Sequence, residues 1–346
     1  MSYSEELIET FPIDNNQGTY YFRHMGEFEI VNSIGSGIFS EIFTAKPKNQ
    51  AAPEDSNKFN YINYIIKIFK KNDIFDHNSE DKPPKKILFN EICQIHLLNK
   101  IKNLQNPNII QIYDWNIDRN TCEARVLMDY MPYNLKNYFS KEENLENLDE
   151  NLLKTIAFQI LNGLNSLHKN RIIHFNLKPE NILFEPKNKN IKISGFSLSQ
   201  YIIYDLDKNI LINGGTYSYM PIEGLLKTKK YSFSYDIWSL GCILIELLCR
   251  KNPFEGYDSK SVFNYIISVF GVDVNYLSNF DKFCKNCIYL NSAKKRLINY
   301  IKKNQKIKLI SNEFYDLISK MLFINPNYRI KAEEALNHLW FKNYTN

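Results

Sequence analysis

Two periodicities divide the hydrophobic pattern of this chain. Between Phe28 and Tyr130 the apolar positions fall in short β-branched runs, which are typical of strands. The clearest runs are Glu41–Ala45, Tyr61–Phe69 and Arg125–Tyr130, with a single helical pattern at Ile87–Lys102. After Pro132 apolar residues recur every three or four positions, which predicts helices. These helical segments are Leu152–His168, Ile237–Cys249, Ser261–Phe270 and Phe314–Leu322. The pattern predicts an α+β protein with a small N-terminal sheet and a larger helical second half.

Two polar segments lack both periods. Residues 1–25 carry scattered aromatics, and we expect an extension whose order depends on docking against the main body. Pro47–Asn60 is rich in Pro, Asn and charged residues, which predicts a solvated insertion within a hairpin. The main domain is therefore expected to span 26–341.

Charge and cysteine content exclude several classes of protein. The 43 basic and 38 acidic residues give a net charge of +5 and are spread along the chain, so they make no concentrated field for nucleic acid or membrane. The six cysteines follow no regular ladder and no signal peptide precedes them, which favours reduced thiols in the cytoplasm or nucleus. The apolar run Leu240–Cys249 contains Glu246 and is too short to cross a bilayer. We expect neither a nucleic-acid nor a membrane partner.

Two further patterns have alternative interpretations. Cys284-Lys285-Asn286-Cys287 has the spacing of a zinc ligand pair, but no second pair lies near it and zinc needs four ligands, so no metal site is predicted. A basic stretch overlaps this cysteine pair and continues beyond it. The stretch is either a solvated helical face, which is the commoner case for a charge run, or a docking surface for an acidic partner. Its residues are Lys285, Lys294, Lys295, Arg296, Lys302, Lys303, Lys306 and Lys308.

One ten-residue segment carries a specific motif. His174–Leu183, with the sequence HFNLKPENIL, resembles the catalytic loop of protein kinases, whose pattern is H-R-D-L-K-P-x-N. Other landmarks of that family follow in its order over 28–341. They are Ile34–Gly37, Tyr64–Lys67, Glu91, Gly214–Thr216, Glu223, Asp236–Gly241 and Arg329. The chain thus resembles the serine/threonine branch of the protein kinases, and Trp238–Leu248 is partly similar to the cyclin-dependent and MAP kinase group.

The resemblance implies a bilobal fold with an N-lobe at 26–128, a hinge at 129–133 and a C-lobe at 134–341. It also implies that Asp236 ties the catalytic-loop backbone and that Glu223 pairs with Arg329. The positions that would bind ATP are Ile34, Gly35, Gly37, Ile42, Ile65, Lys67, Glu91, Met128 and Leu183. A Lys67–Glu91 pair is expected, and it serves either nucleotide binding or only the orientation of the helix.

Two positions depart from the family where its chemistry takes place. The position of the catalytic base is occupied by Asn176, whose amide has no useful proton affinity near neutral pH. Aligning Phe196 with the Phe of the D-F-G motif puts Gly195 at the magnesium-binding Asp. Lys178 and Asn181 are retained, but Asn181 alone would hold magnesium weakly, because hard cations prefer anionic oxygens.

Two more departures affect regulation and nucleotide binding. Phe175 replaces the arginine that would pair with a phosphate on the activation segment. Ile65 replaces the small alanine usual over the adenine ring and narrows that slot. We expect no required cofactor, and weak ATP binding, if any, without strong magnesium dependence.

Two functions follow as hypotheses. The first is an inactive kinase, or pseudokinase, that acts as a regulatory or scaffold module for protein partners, including an active kinase. The second is a weak or metal-independent ATP-dependent serine/threonine kinase. It stays open because positioning alone contributes up to roughly 7–11 kcal/mol in enzymes.

Overall fold

The computed structural model describes residues 28–36, 40–48, 64–69, 97, 99–118, 123–202, 215–228, 231–271, 290–342 and 344. The chain divides into two compact units, one of residues 1–105 and 110–131 and one of residues 106–109 and 132–346. Several predictions lie outside the described residues: the extension 1–25, most of the Pro47–Asn60 insertion, Gly37, Glu91, Gly214 and Cys284–Cys287.

The first unit contains a five-stranded antiparallel sheet. Its strands are β1 (Phe28–Ser36), β2 (Ser40–Pro47), β3 (Tyr64–Phe69), β4 (Ile112–Asp118) and β5 (Glu123–Asp129), and their order is β1-β2-β3-β5-β4. The predicted helix at Ile87–Lys102 is described only at residues 97 and 99–102, which are helical. The three isoleucines of β3 suit a half-buried pleated surface, and this sheet is where the sequence placed it.

The two faces of this sheet differ. Ala45, Ile66 and Leu127 are buried on one face and form a core against which Phe28 and Tyr64 pack. Side chains alternate along a strand, and directly paired residues point to the same side. The residues between them in sequence therefore form a second face, on which the candidate nucleotide-binding side chains lie.

The second unit is mainly helical. Its helices are α1 (Leu135–Phe139), α2 (Glu142–Glu146), α3 (Glu150–Lys169), α4 (Ile222–Leu225), α5 (Ser234–Cys249), α6 (Ser259–Phe270), α7 (Leu290–Asn304), α8 (Asn312–Met321) and α9 (Ala332–Leu336). The short strands β6 (Tyr133–Asn134), β7 (Ile172–Ile173), β8 (Ile182–Glu185), β9 (Asn190–Ile193) and β10 (Gln200–Tyr201) pair as β6-β8-β9 and β10-β7. The predicted α+β class is confirmed.

Local sequence explains where the long helices begin and which are central. The Asp149 carboxylate accepts the Leu152 N–H at 2.7 Å and caps α3. All residues of α5 from Tyr235 to Cys249 are buried, so its long apolar run reflects a helix surrounded by protein. Among the described residues no helix combines the length and hydrophobicity that a bilayer crossing needs.

Residues 106–109 belong to the helical unit, although the sequence placed them in the N-lobe. The Asn108 amide donates to Gln159 Oε1 at 2.9 Å and to the Ile191 carbonyl at 3.0 Å, and Ile109 bridges to Ile193. Hydrogen bonds between residues this far apart in the chain produce no local sequence pattern, so the sequence could not predict them. Between the main bodies of the two units, the boundary runs from Met131 to Pro132, inside the predicted hinge.

Candidate active site

The loop between β7 and β8 is held by one buried carboxylate. Asp236, in the first turn of α5, accepts the backbone N–H of His174 at 2.9 Å and of Phe175 at 3.0 Å. His168 Nε2 lies 2.9 Å from the same carboxylate. Phe175 has φ +61, an unusual conformation for a bulky residue, and these bonds hold it there. The predicted tie between Asp236 and the loop is confirmed.

His174 occupies the centre of this loop as a neutral imidazole. Its Nε2 lies 2.8 Å from the Ser194 carbonyl and must donate, while its Nδ1 accepts the Asn176 N–H at 3.2 Å. The residue is fully buried, and burial lowers the pKa of its imidazole. His174 thus joins the catalytic loop to the segment that contains Gly195.

Asn176, at the base position, is tied down through its backbone. Its carbonyl accepts Asn181 Nδ2 at 2.7 Å. Its side-chain Oδ1 is buried and has no hydrogen-bond partner among the described residues. An amide oxygen can accept a hydrogen bond from a substrate hydroxyl, but it does not take up the proton near neutral pH. Asn176 therefore offers an acceptor and not a base.

Gly195 and Asn181 are packed directly against each other. Gly195 has φ +82 and ψ +41, the left-handed region. A Cβ built on it would fall 2.7 Å from Asn181 Nδ2 and closer still to Asn181 Cγ and Oδ1. The backbone N–H and Oγ of Ser194 also bond to the Asn181 carbonyl, at 2.8 and 3.0 Å. A side chain at position 195 would therefore require the Asn181 amide to shift.

The residues at this position do not suit magnesium. The resemblance implies a magnesium ion held by an aspartate and an asparagine, but here Gly195 has no side chain and the Asn181 amide oxygen beside it is neutral. Magnesium requires near-ideal octahedral oxygen coordination and is usually held by one or two carboxylates plus phosphates. Within the described residues no group of three or more His, Cys, Asp or Glu side chains could hold a metal ion.

Lys178, the other retained catalytic-loop residue, also makes a direct side-chain contact. Its Nζ donates to Thr216 Oγ1 at 3.1 Å, which links the loop to the segment before α4. The sequence indicated both residues separately but not their contact. Such a bond keeps the ammonium oriented, whether or not phosphoryl transfer takes place.

The phosphate-binding arginine position has become part of an aromatic cluster. Phe175 is 2% exposed, and its ring packs edge-to-face on Tyr231 and Tyr235, with centroid separations of 5.8 and 5.0 Å. Such ring pairs add about 0.5–1.5 kcal/mol each beyond the buried area. Apolar packing therefore holds the start of α5 against the loop where the family would use a guanidinium and a phosphate.

Four of the candidate nucleotide-binding side chains share one face of the N-terminal sheet. Ile42 pairs with Lys67 and Ile65 pairs with Met128, and Ile65 is two residues before Lys67. Paired and alternate residues point to the same side. Ile65 and Met128 are buried, and burial lowers the pKa of the Lys67 ammonium.

The remaining candidates are more scattered. Gly35 pairs with Ile42 at the end of β1, and the Ile34 side chain is half exposed beside an irregularity in that strand. Leu183 lies on β8 in the second unit, opposite Lys192. Gly37 and Glu91 lie outside the described residues, so the Lys67–Glu91 pair stays a prediction.

The other predicted ion pair, between Glu223 and Arg329, is confirmed. Arg329 Nη1 and Nη2 bond to the two Glu223 oxygens at 2.7 and 3.0 Å, and both side chains are almost fully buried. The guanidinium also donates to the carbonyls of Phe323, Ser234 and Ile324. These hydrogen bonds of the Arg329 guanidinium stabilise the fold, because they fix α4, which contains Glu223, next to the segment that contains Thr216.

Comparisons with known proteins agree with this geometry. The sequence profile of the family described as protein kinase domain matches residues 28–341. A probable cyclin-dependent serine/threonine-protein kinase of Dictyostelium discoideum is 28% identical over 321 residues, which cover 92% of this chain and 20% of the relative. Cyclin-dependent kinase 11.2 of Caenorhabditis elegans is 26% identical over 329 residues, 93% of this chain and 46% of the relative. Probable cyclin-dependent kinase 8 of D. discoideum is 31% identical over 265 residues, 70% of this chain and 67% of the relative. The chain thus spans about a fifth and just under half of the first two.

Proposed function

The chain belongs to the protein kinase family, and we propose that it acts there as a serine/threonine kinase-like protein without phosphotransferase activity, a regulatory or scaffold module that binds other proteins. The observation that carries the proposal is the metal position itself. Gly195 offers no carboxylate there, and any side chain at this position would have to displace the Asn181 amide that packs against it.

The base position supports the same conclusion. Phosphoryl transfer depends on a positioned nucleophile and on charge neutralised by metal ions. Asn176 supplies no base and Gly195 no metal ligand, while the contacts that stabilise the fold, Asp236 on the loop and Glu223 on Arg329, are all present. A fold kept without its reacting groups suits a protein that functions through its surface.

The partner proposed for this module is another protein, including an active kinase. All three relatives are named cyclin-dependent kinases, which favours a protein partner here as well. We propose that this binding role takes place in the cytoplasm or nucleus and involves neither nucleic acid nor a membrane.

A weak or metal-independent serine/threonine kinase is the second candidate. It is favoured by the Lys178–Thr216 bond and by Lys67, which lies on β3 and which the family resemblance suggests as the phosphate-binding lysine. If this candidate is right, Ile65→Ala should raise turnover, because it widens the adenine slot.

Calorimetric titration of ATP with and without magnesium tests the proposal. We expect weak or absent binding that millimolar magnesium changes by less than about threefold, or ~0.7 kcal/mol. Lys67→Ala serves as the control, because heat that survives it does not come from the predicted site. Tightening of tenfold or more, about 1.4 kcal/mol, would show that another acidic residue holds the metal and would contradict the proposal.

A further inference from the structure

Helix α7 and the segment that follows it carry a concentrated positive charge. From residue 290 to 312 the chain contains no Asp or Glu and seven basic residues, all of them exposed. These are Lys294, Lys295, Arg296, Lys302, Lys303, Lys306 and Lys308. Neighbouring α6 adds the exposed Lys260, which lies two residues after the acidic N-cap Asp258. We call the exposed side of α6, α7 and residues 305–309 the basic surface.

Most of these charges are not neutralised within the described structure. Lys294 Nζ pairs with Asp316 Oδ1 at 2.8 Å, and Lys302 Nζ lies 4.8 Å from the centre of the Tyr315 ring. The other five basic residues of the segment make no ion pair with any described residue. They are Lys295, Arg296, Lys303, Lys306 and Lys308. Like charges held this close repel one another, and a bound anion would relieve that repulsion.

A pocket of about 440 Å³ opens on this surface. It is lined by Tyr265, Ser268 and Val269 of α6 and by Arg296, Asn299 and Tyr300 of α7. Arg296 and Asn299 carry the hydrogen-bond donors for a ligand, and the guanidinium is a planar fork that matches a carboxylate. The Ser268 hydroxyl already donates to the Tyr265 carbonyl at 2.7 Å. Tyr300 Oη donates to the Pro253 carbonyl at 3.1 Å, which fixes that wall of the pocket.

The basic residues extend along one side of α7. Arg296 and Lys303 are seven residues apart, so they lie on the same side of the helix and about 10 Å apart. A partner that contacts both must therefore reach along the helix. Beyond Lys308, Leu309 is 85% exposed and offers an apolar contact at the end of the basic surface.

We propose that the basic surface binds an extended acidic segment of a partner protein, with one carboxylate in the Arg296 pocket and an apolar side chain on Leu309. This names the partner class of the binding role proposed above and rests on it. A peptide is favoured over nucleic acid because the exposed apolar residue, Leu309, is aliphatic, whereas bases bind by stacking on aromatic side chains. The net charge of the whole chain is also only +5.

Fluorescence anisotropy with the full chain provides the test. The probe is a labelled synthetic peptide of about 12 residues, or ~40 Å when extended, rich in Glu and Asp with two Leu. The variant is Lys303→Glu/Lys306→Glu/Lys308→Glu. The control, Lys141→Glu/Lys187→Glu/Lys342→Glu, makes the same change in net charge at exposed lysines elsewhere on the second unit. An oligouridylate of equal charge is measured in parallel.

We expect saturable peptide binding that the variant weakens at least tenfold, about 1.4 kcal/mol, and the control less than threefold. Arg296→Lys should also weaken it, because an ammonium does not replace the planar fork. Absent binding, equal losses in variant and control, or tighter binding of the oligouridylate would each overturn the inference. The assay contains no ATP. Kinase turnover found separately would therefore defeat the proposed inactivity alone, and loss of peptide binding would defeat this inference alone.

Discussion

Replacing Gly195 with alanine should destabilise the second unit more than a surface glycine substitution would. A non-glycine residue in the left-handed region costs roughly 1–2 kcal/mol. The new Cβ would also displace the Asn181 amide and break its 2.7 Å bond to the Asn176 carbonyl, a loss of about 1 kcal/mol. The expected sum is about 2–3 kcal/mol, which lowers Tm by about 4–12 °C at ~2–4 °C per kcal/mol.

Thermal and urea denaturation of purified variants measure this cost. Gly35→Ala is the control, because a Cβ there meets nothing within 4 Å and its φ is not positive. Asn181→Ala completes a double-mutant cycle. It removes the same amide bond, so the double variant should cost about 1 kcal/mol less than the sum of the single variants.

The packing argument would be wrong if Gly195→Ala shifted Tm no more than Gly35→Ala. It would also be wrong if Gly195→Ala and Asn181→Ala were additive, since the two side chains would then not compete for one space. Either result would mean that the metal position can accept an aspartate at little cost.

Three further predictions concern the buried pairs and the catalytic loop. Arg329→Met should cost about 3–5 kcal/mol in urea denaturation, because it leaves the Glu223 carboxylate buried without its partner; adding Glu223→Gln should recover part of that loss, and simple additivity would refute the coupling. Burial lowers the folded-state pKa of His174, so the unfolded chain binds more protons and stability should fall as pH drops below about 6.5. His174→Gln should reduce that dependence, and an unchanged pH slope would contradict it. Neither Asn176→Asp nor Gly195→Asp alone should give phosphotransfer, since parts of one catalytic unit are not additive; activity in either single variant would show that only one defect matters.

The sequence predicted the fold and the missing groups because both depend on local patterns. The helical period identified α3 and α5 to within a few residues, since one side of α3 and nearly all of α5 are buried. Asn176 and Gly195 could be located because the motif residues around them fix the alignment. The Glu223–Arg329 pair followed from the family resemblance in the same way.

Contacts between distant residues were not predictable. The sequence showed that Phe175 replaces the arginine of the family motif. The packing of Phe175 on Tyr231 and Tyr235 was not predictable, because it depends on how the second unit folds. The contact of Asn181 with Gly195 requires a backbone angle and a side-chain rotamer, and neither has a sequence signature. The sequence therefore indicated that a metal ligand is missing, and the geometry added that the Asn181 amide packs against the position where it would stand.

Radiolabel transfer from ATP to a basic substrate and to the chain itself tests the absence of activity most directly. The full chain and its Lys67→Ala variant are compared at millimolar magnesium. Loss of Lys67 removes the predicted phosphate contact, so the variant defines the background. The account predicts equal, background-level transfer by both proteins. Transfer by the wild type that Lys67→Ala abolishes would contradict it and establish the weak kinase.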